Sequence, residues 1–164
     1  MEIIAIIVIG AFCIHLEIQI YKRFILPRIL YECHFSKHEI MEGDTLEIIE
    51  TVINPSRLFV PCLKSEISTS NQLEFAENVS TVNDKWRSLA SLFFIKAKQR
   101  VKRVWKVKSL QRGIFKLEDT TVIASDLFGY YHYSNMVKLN SKVIVLPRPI
   151  DVSEYIQKVN EAQG

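Results

Sequence analysis

With 164 residues, 48% apolar and 24% charged, the chain can form one folded domain plus an extra element and is too apolar to be disordered. A net charge of +3 is too small to argue nucleic-acid binding from the total alone. Cys13, Cys33 and Cys62 contain no C-x-x-C pair, which excludes a zinc ribbon or a thioredoxin-type site; Cys33 and Cys62 are either a disulfide in an oxidising compartment or two thiols packed as small apolar groups.

The first predicted element is an apolar helix. Ile3 to Ile14 carries no polar side chain, and extension to Tyr21 reaches a spanning length while taking in His15, Glu17 and Gln19. Eleven Ile, Leu, Val and Phe residues between Ile3 and Ile20 sum to roughly −5 kcal/mol for insertion, against about 3 kcal/mol for a central acidic residue, and Glu17 lies near one end. The segment therefore reads as an uncleaved anchor. A signal peptide fits less well, because Glu2 stands where basic residues are expected and no A-x-A-like site follows. Lys22, Arg23 and Arg28 follow the segment and nothing basic precedes it, so the positive-inside rule places residues 22–164 in the cytoplasm. His15 and Glu17 lie on different helix faces and read as polar residues near headgroups or facing a partner helix. Pro27 ends the helix, and residues 1–28 form the anchor and juxtamembrane segment.

From residue 29 to 150 the pattern alternates and predicts strands. These are Leu30–Lys37, Thr45–Asn54, Val60–Ser70, Trp86–Ala97, Arg100–Lys108, Ile114–Ala124, Tyr130–Lys138 and Lys142–Leu146. Turn signals separate them at Glu42-Gly43-Asp44, Asn54-Pro55-Ser56, a hairpin at Leu110–Gly113 and Asp126–Gly129, and residues 70–85 read as a loop holding at most a short strand. Within the second strand Leu46, Ile48 and Val52 share one face. Seven or eight short strands with such turns predict an all-β, antiparallel immunoglobulin-like β-sandwich, although the Cys…Trp…Cys pattern of antibody domains is absent. Pro147-Arg148-Pro149 stops the last strand, and residues 151–164 read as a short helix over Ser153–Ala162, or a linker, leaving the domain.

Residues 96–112 carry eight basic side chains and no acidic one. Alternation puts Val101, Arg103, Trp105 and Val107 on one face and Arg100, Lys102, Lys106 and Lys108 on the other. The cationic face suits anionic headgroups next to an anchor, at about 1 kcal/mol per residue. The alternative is an edge strand that lysine protects from aggregation.

No chemical motif appears. There is no G-x-S-x-G elbow, phosphate-binding glycine loop or dinucleotide fingerprint, and His34 and His38 lack the H-E-x-x-H context of a metal site. No cofactor, metal, catalytic residue or nucleic-acid partner is expected. Asn78-Val79-Ser80 matches the glycosylation pattern, which has no meaning in a cytoplasmic domain.

One set of residues carries a family resemblance. Tyr31 opens a strand, Glu42-Gly43-Asp44 starts the next, and Asn54 ends it. Arg112-Gly113-Ile114-Phe115-Lys116-Leu117 precedes Asp126-Leu127-Phe128-Gly129, and Val143-Ile144-Val145-Leu146-Pro147 follows. The pattern resembles the N-terminal half of the prokaryotic membrane-anchored family known as domain of unknown function fifty-eight, whose genes commonly neighbour those of MoxR-type ATPases. The resemblance implies a scaffold or assembly role beside an AAA-type ATPase. Three features depart from the family: one membrane helix instead of two, Leu127 in place of a proline, and an end at Gly164 before the von Willebrand A-like domain and its D-x-S-x-S metal pattern. The chain thus reads as a fragment or a shortened relative. The matching residues imply a structural turn motif of Arg112, Gly113, Asp126, Phe128 and Gly129. Gly113 is expected at positive φ in the hairpin, Asp126 bonded to its own turn, Gly129 left-handed, and Phe115, Leu117 and Phe128 in the core.

These readings converge on a non-enzymatic, membrane-anchored sandwich module in the cytoplasm, with Lys22, Arg23, Arg28, Arg100, Lys102, Lys106 and Lys108 as candidate membrane-surface contacts. The alternative is an extracytoplasmic adhesion or receptor module on an uncleaved signal anchor.

Overall fold

Helix α1 covers Glu2–Ile20, and none of its residues is buried in the domain. It passes into a π-helical turn, Tyr21–Ile25, and then a 3-10 turn, Leu26–Arg28, where Pro27 ends the helical run. The helical segment Glu2–Arg28 is long and apolar enough to cross a membrane. This computed structural model describes residues 1–76, 81–82 and 86–149. The helix expected over Ser153–Ala162 and the Asn78-Val79-Ser80 pattern lie outside the described residues.

The described strands are β1 (Leu30–Phe35), β2 (Glu39–Met41), β3 (Thr45–Ile53), β4 (Val60–Ser70), β5 (Leu73–Phe75), β6 (Thr81–Val82), β7 (Trp86–Ile95), β8 (Arg100–Ser109), β9 (Gly113–Lys116), β10 (Thr120–Ser125), β11 (His132–Val137) and β12 (Lys142–Leu146). The longer ones fall on the predicted segments. The additions are the short strands β2, β5 and β6 and a break between β9 and β10. One sheet has the order β1-β3-β8-β5, a second β11-β10-β4-β7-β6, and a third, smaller sheet β2-β12-β9. All pairings in the two large sheets are antiparallel, and the architecture is the expected all-β, immunoglobulin-like sandwich. Among the described residues, only β2–β12 is parallel.

Alternation explains the core. In β4, Leu63, Ser65, Ile67 and Thr69 point inward and Lys64 and Glu66 outward. Pro61 has no backbone N–H, and it sits within the register shift between Val60 and Leu63. Leu46, Ile48 and Val52 of β3 meet Leu63, Ile67, Leu89 and Ile95 across the sandwich in one core cluster. Each side chain of this size contributes about 1.5–3 kcal/mol through burial. Cys33, in β1, faces the core and Cys62, in β4, is exposed; both are free thiols.

Two expectations need correction. The Leu110–Gly113 segment is not a hairpin, because β8 belongs to the first sheet while β9 pairs with β12 in the third. Gly113 still has positive φ, at 152°, so the glycine serves a crossing between sheets rather than a hairpin turn. Phe115 and Leu117 are buried as expected, but Phe128 is 59% exposed and fills no core. The short Asp126–Tyr131 loop turns its middle residues outward.

The strand registers define two ends. Leu30 pairs with Ile53, Ile53 with Arg100, Val60 with Ile95 and Ser125 with His132, and all of these lie at the end where the chain arrives from α1. Asn54 ties two loops of this end together. Its Nδ2 donates to the carbonyls of Leu58 (2.8 Å) and Lys96 (3.0 Å). At the opposite end Thr45 pairs with Lys108, and Arg148 forms a 3.0 Å ion pair with Asp44.

Candidate functional site: the helix-proximal end and a buried glutamate

Beyond Ile20 the helical segment continues into the domain as packed structure. Tyr21, Ile25 and Leu26 are buried in the core cluster, and the Tyr21 hydroxyl donates to the Phe59 carbonyl at 3.0 Å. The Glu17 side chain accepts a 2.8 Å hydrogen bond from the backbone N–H of Leu127. The Lys22 ammonium lies 5.4 Å from the centre of the Tyr131 ring, within cation–π range. Glu17, read from sequence as a residue near headgroups or facing another helix, accepts from a turn of its own chain.

That turn is the Asp126–Gly129 motif. Asp126 is fully buried; its N–H donates to the Tyr131 carbonyl at 3.1 Å, and its Oδ2 accepts from the Tyr131 N–H at 3.0 Å. Asp126 bonds its own turn as expected, and Gly129, with φ 74°, takes the left-handed position. Leu127, Phe128 and Tyr130 project outward from the closed turn. Arg112 is exposed next to Gly113, on the separate segment between β8 and β9.

The candidate membrane-surface residues divide. Lys22, Arg23 and Arg28 surround the point where the helical segment meets the domain, and Arg100 begins β8 at the same end. Arg57 and Lys98, which the sequence did not single out, join Arg28 around a hollow lined by Ile20, Phe24 and Leu58. Lys106 and Lys108 lie six and eight residues further along β8, about 20–26 Å from Arg100 at 3.3 Å per residue. Lys106 stands opposite Glu47 in register and Lys108 opposite Glu74, so carboxylates offset the far half of the cationic face. Lys102 lies between the two groups. Among the described residues, strand β8 is flanked by β3 along its length but by β5 only at Val107–Ser109, which leaves its first half as an edge.

The second constellation is internal. Glu50, fully buried in β3, accepts four hydrogen bonds. The Tyr31 hydroxyl donates to Oε1 at 2.8 Å, and the Ser65 hydroxyl donates to the same oxygen. The Ser91 hydroxyl donates to Oε2 at 2.8 Å and the Trp105 indole N–H at 3.3 Å. Tyr31 and Trp105 come from the sheet of Glu50, and Ser65 and Ser91 from the facing sheet, so one carboxylate joins both layers. Arg103, the register partner of Glu50, stacks over Phe93 at 4.4 Å and donates to the Leu92 carbonyl at 3.0 Å, linking β8 to β7 of the facing sheet. Burial, then the nearby Glu50 charge, raises the Tyr31 hydroxyl pKa and pushes the Cys33 thiol up to about 12.

Tyr31 also forms part of the wall of an apolar cavity of about 190 Å³ between Leu26, Ile29 and Leu30 on one side and Val122, Tyr133 and Val137 on the other. No charged residue lines it. Among the described residues no group of three or more His, Cys, Asp or Glu side chains is placed to hold a metal ion. The arrangement suits mechanical work: a carboxylate pins the two sheets, and a second one pins the domain to its helix.

No protein-family model and no curated protein matches the sequence. Among solved structures, the CARDB domain of a Pyrococcus furiosus protein is similar, with TM-score 0.48 and 13% identity over 73% of this chain and 96% of that one. A non-cellulosomal cohesin from Archaeoglobus fulgidus gives 0.43 and 13% over 77% and 96%. A cohesin from a Clostridium thermocellum cohesin–dockerin complex gives 0.43 and 14% over 71% and 99%.

Proposed function

We propose that the chain is a membrane-anchored, non-catalytic β-sandwich module that holds an interaction surface in a fixed position at the bilayer. The observation that carries this reading is the continuous join between helix and domain: Tyr21, Ile25 and Leu26 enter the core, and Glu17 accepts from Leu127. A freely swinging tether has no need of such contacts, whereas a platform that must present a face in one orientation does. The positive charge after α1 favours a cytoplasmic domain. The resemblance to the domain of unknown function fifty-eight family supports a MoxR-type AAA ATPase as the protein partner.

Native cysteines offer the test. Cys62 is exposed on the domain, whereas Cys33 is buried. A membrane-impermeant maleimide applied to intact cells should leave Cys62 unlabelled until the membrane is opened. Labelling in intact cells would reject the cytoplasmic platform in favour of an extracytoplasmic module. Co-purification of the full chain with the ATPase in detergent tests the partner, and failure to co-purify at any nucleotide state removes it.

A further inference from the structure

We propose that the Leu127-Phe128-Gly129-Tyr130 tip enters the membrane interface beside α1, giving the domain a second contact with lipid. The proposal rests on reading α1 as an anchor. The Glu17–Leu127 bond fixes the tip at the level of Glu17 on the helix axis. Lys22 and Arg23 follow Glu17 by five and six residues, about 8 Å along the helix at 1.5 Å per residue. With these two charges at headgroup level, Glu17 and the tip beside it lie on their apolar side, within the interface.

The composition of this end suits that depth. Leu127, Phe128 and Tyr130 are 41%, 59% and 68% exposed, and the Phe128 and Tyr130 rings lie 6.4 Å apart. An aromatic pair with one phenolic hydroxyl matches the belt that such side chains form at headgroup level. The backbone donors at the neck of the turn are paired. Leu127 N–H has Glu17, and Asp126 and Tyr131 satisfy each other across the neck of the turn. The Leu127 contact gives Glu17 Oε1 a donor at a depth where an unpaired charge is costly. On the helix itself Lys22 and Arg23 follow directly, and Arg28, Arg57 and Lys98 gather around the adjoining hollow, in position for phosphate headgroups.

The test uses the full chain in vesicles of phosphatidylcholine and phosphatidylglycerol. Cys13 and Cys62 are replaced by serine, and an environment-sensitive fluorophore is placed at Phe128→Cys, Val8→Cys or Lys106→Cys in separate samples. Phe128 is a surface residue, so its replacement leaves no core cavity. Spin-labelled lipids with a shallow acyl-chain probe should quench the Val8 and Phe128 sites several-fold more than the Lys106 site. If Val8 is quenched while Phe128 behaves like Lys106, the interfacial tip is overturned and the anchor stands. If Val8 is not quenched, the anchor fails and the tip fails with it.

Discussion

Glu50 and Glu17 are two acidic residues in apolar surroundings, and they differ in what surrounds them. Glu50 lies at the centre of the sandwich with four donors from β1, β4, β7 and β8. Glu17 lies on the flank of α1 with one donor, from an exposed residue of a surface turn. Loss of Glu50 strands donors where no water reaches them, whereas loss of Glu17 frees a backbone N–H on an exposed residue. The same chemistry therefore holds a fold together in one place and sets an orientation in the other.

The sharpest way to break this contrast is at Glu50. Glu50→Ala should destabilise the domain by about 3 kcal/mol or more, because it removes the shared acceptor and leaves a cavity. A fall in Tm on the order of 10 °C is expected by calorimetry. Glu50→Gln should lose only about 1–2 kcal/mol. Its amide oxygen can take the Trp105 and Ser91 bonds, while its nitrogen donates to the Tyr31 and Ser65 hydroxyls, which can turn to accept. Equal losses for the two variants would show that shape, not acceptor chemistry, holds the site.

The next effect is at the crossing between sheets. Gly113→Val combines a φ of 152° with a Cβ placed 3.4 Å from Phe115 Cζ, and should destabilise by about 2 kcal/mol. Gly129→Ala, at φ 74° with nothing within 4 Å of the new Cβ, should lose about 1 kcal/mol. Urea denaturation separates the two. A Gly113→Val midpoint matching wild type would mean that the crossing bears no strain.

These sites also show what the sequence could convey. The parity of β3 is plain in Leu46, Ile48 and Val52, and Glu50 shares it; an acidic residue at an inward position was a readable sign of a buried polar site. Its partners were less accessible. Ser65 and Ser91 also occupy inward positions, but nothing local says that two serines from separate strands converge on one carboxylate, because that follows from the stacking of the sheets. The false hairpin at Leu110–Gly113 has the same origin: a glycine marks a special φ but not the strand that the next segment joins. Phe128 was misplaced because an aromatic residue beside a turn is core by default and exposed only when the turn closes beneath it, as Asp126 makes it do. Arg57, isolated in sequence, and Lys98, of the basic run 96–112, meet Arg28 only through the loops that Asn54 ties together.

Alkaline pH sharpens the account of the buried node. The Cys33 thiol has a folded pKa of about 12 against an ordinary value of 9.0. The unfolded chain therefore releases this proton first. The associated stability is complete below about pH 9 and is lost as pH rises toward 12, by at most about 1.4 kcal/mol per pH unit. The raised Tyr31 hydroxyl acts in the same direction above its own ordinary value of 10.0. Cys33→Ala should flatten the fall of Tm with pH just above 9, and an unchanged slope would remove Cys33 from the node.

The smallest effect on stability is expected at Glu17, and it separates the two regions most cleanly. Glu17→Ala deletes one hydrogen bond to an exposed backbone donor, so the domain should unfold within about 0.5 kcal/mol of wild type. Orientation should respond instead. Tyr21, Ile25 and Leu26 still hold the base of the helix in the core, but nothing then fixes the turn to the helix flank. Spin labels at Val8 and Tyr130 should show a broadened distance distribution in Glu17→Ala, with no change between labels at Lys64 and Lys106, which stand on opposite sheets. If the Val8–Tyr130 distribution keeps its width, the buried residues alone set the domain's posture, and Glu17 serves only to mask its own charge.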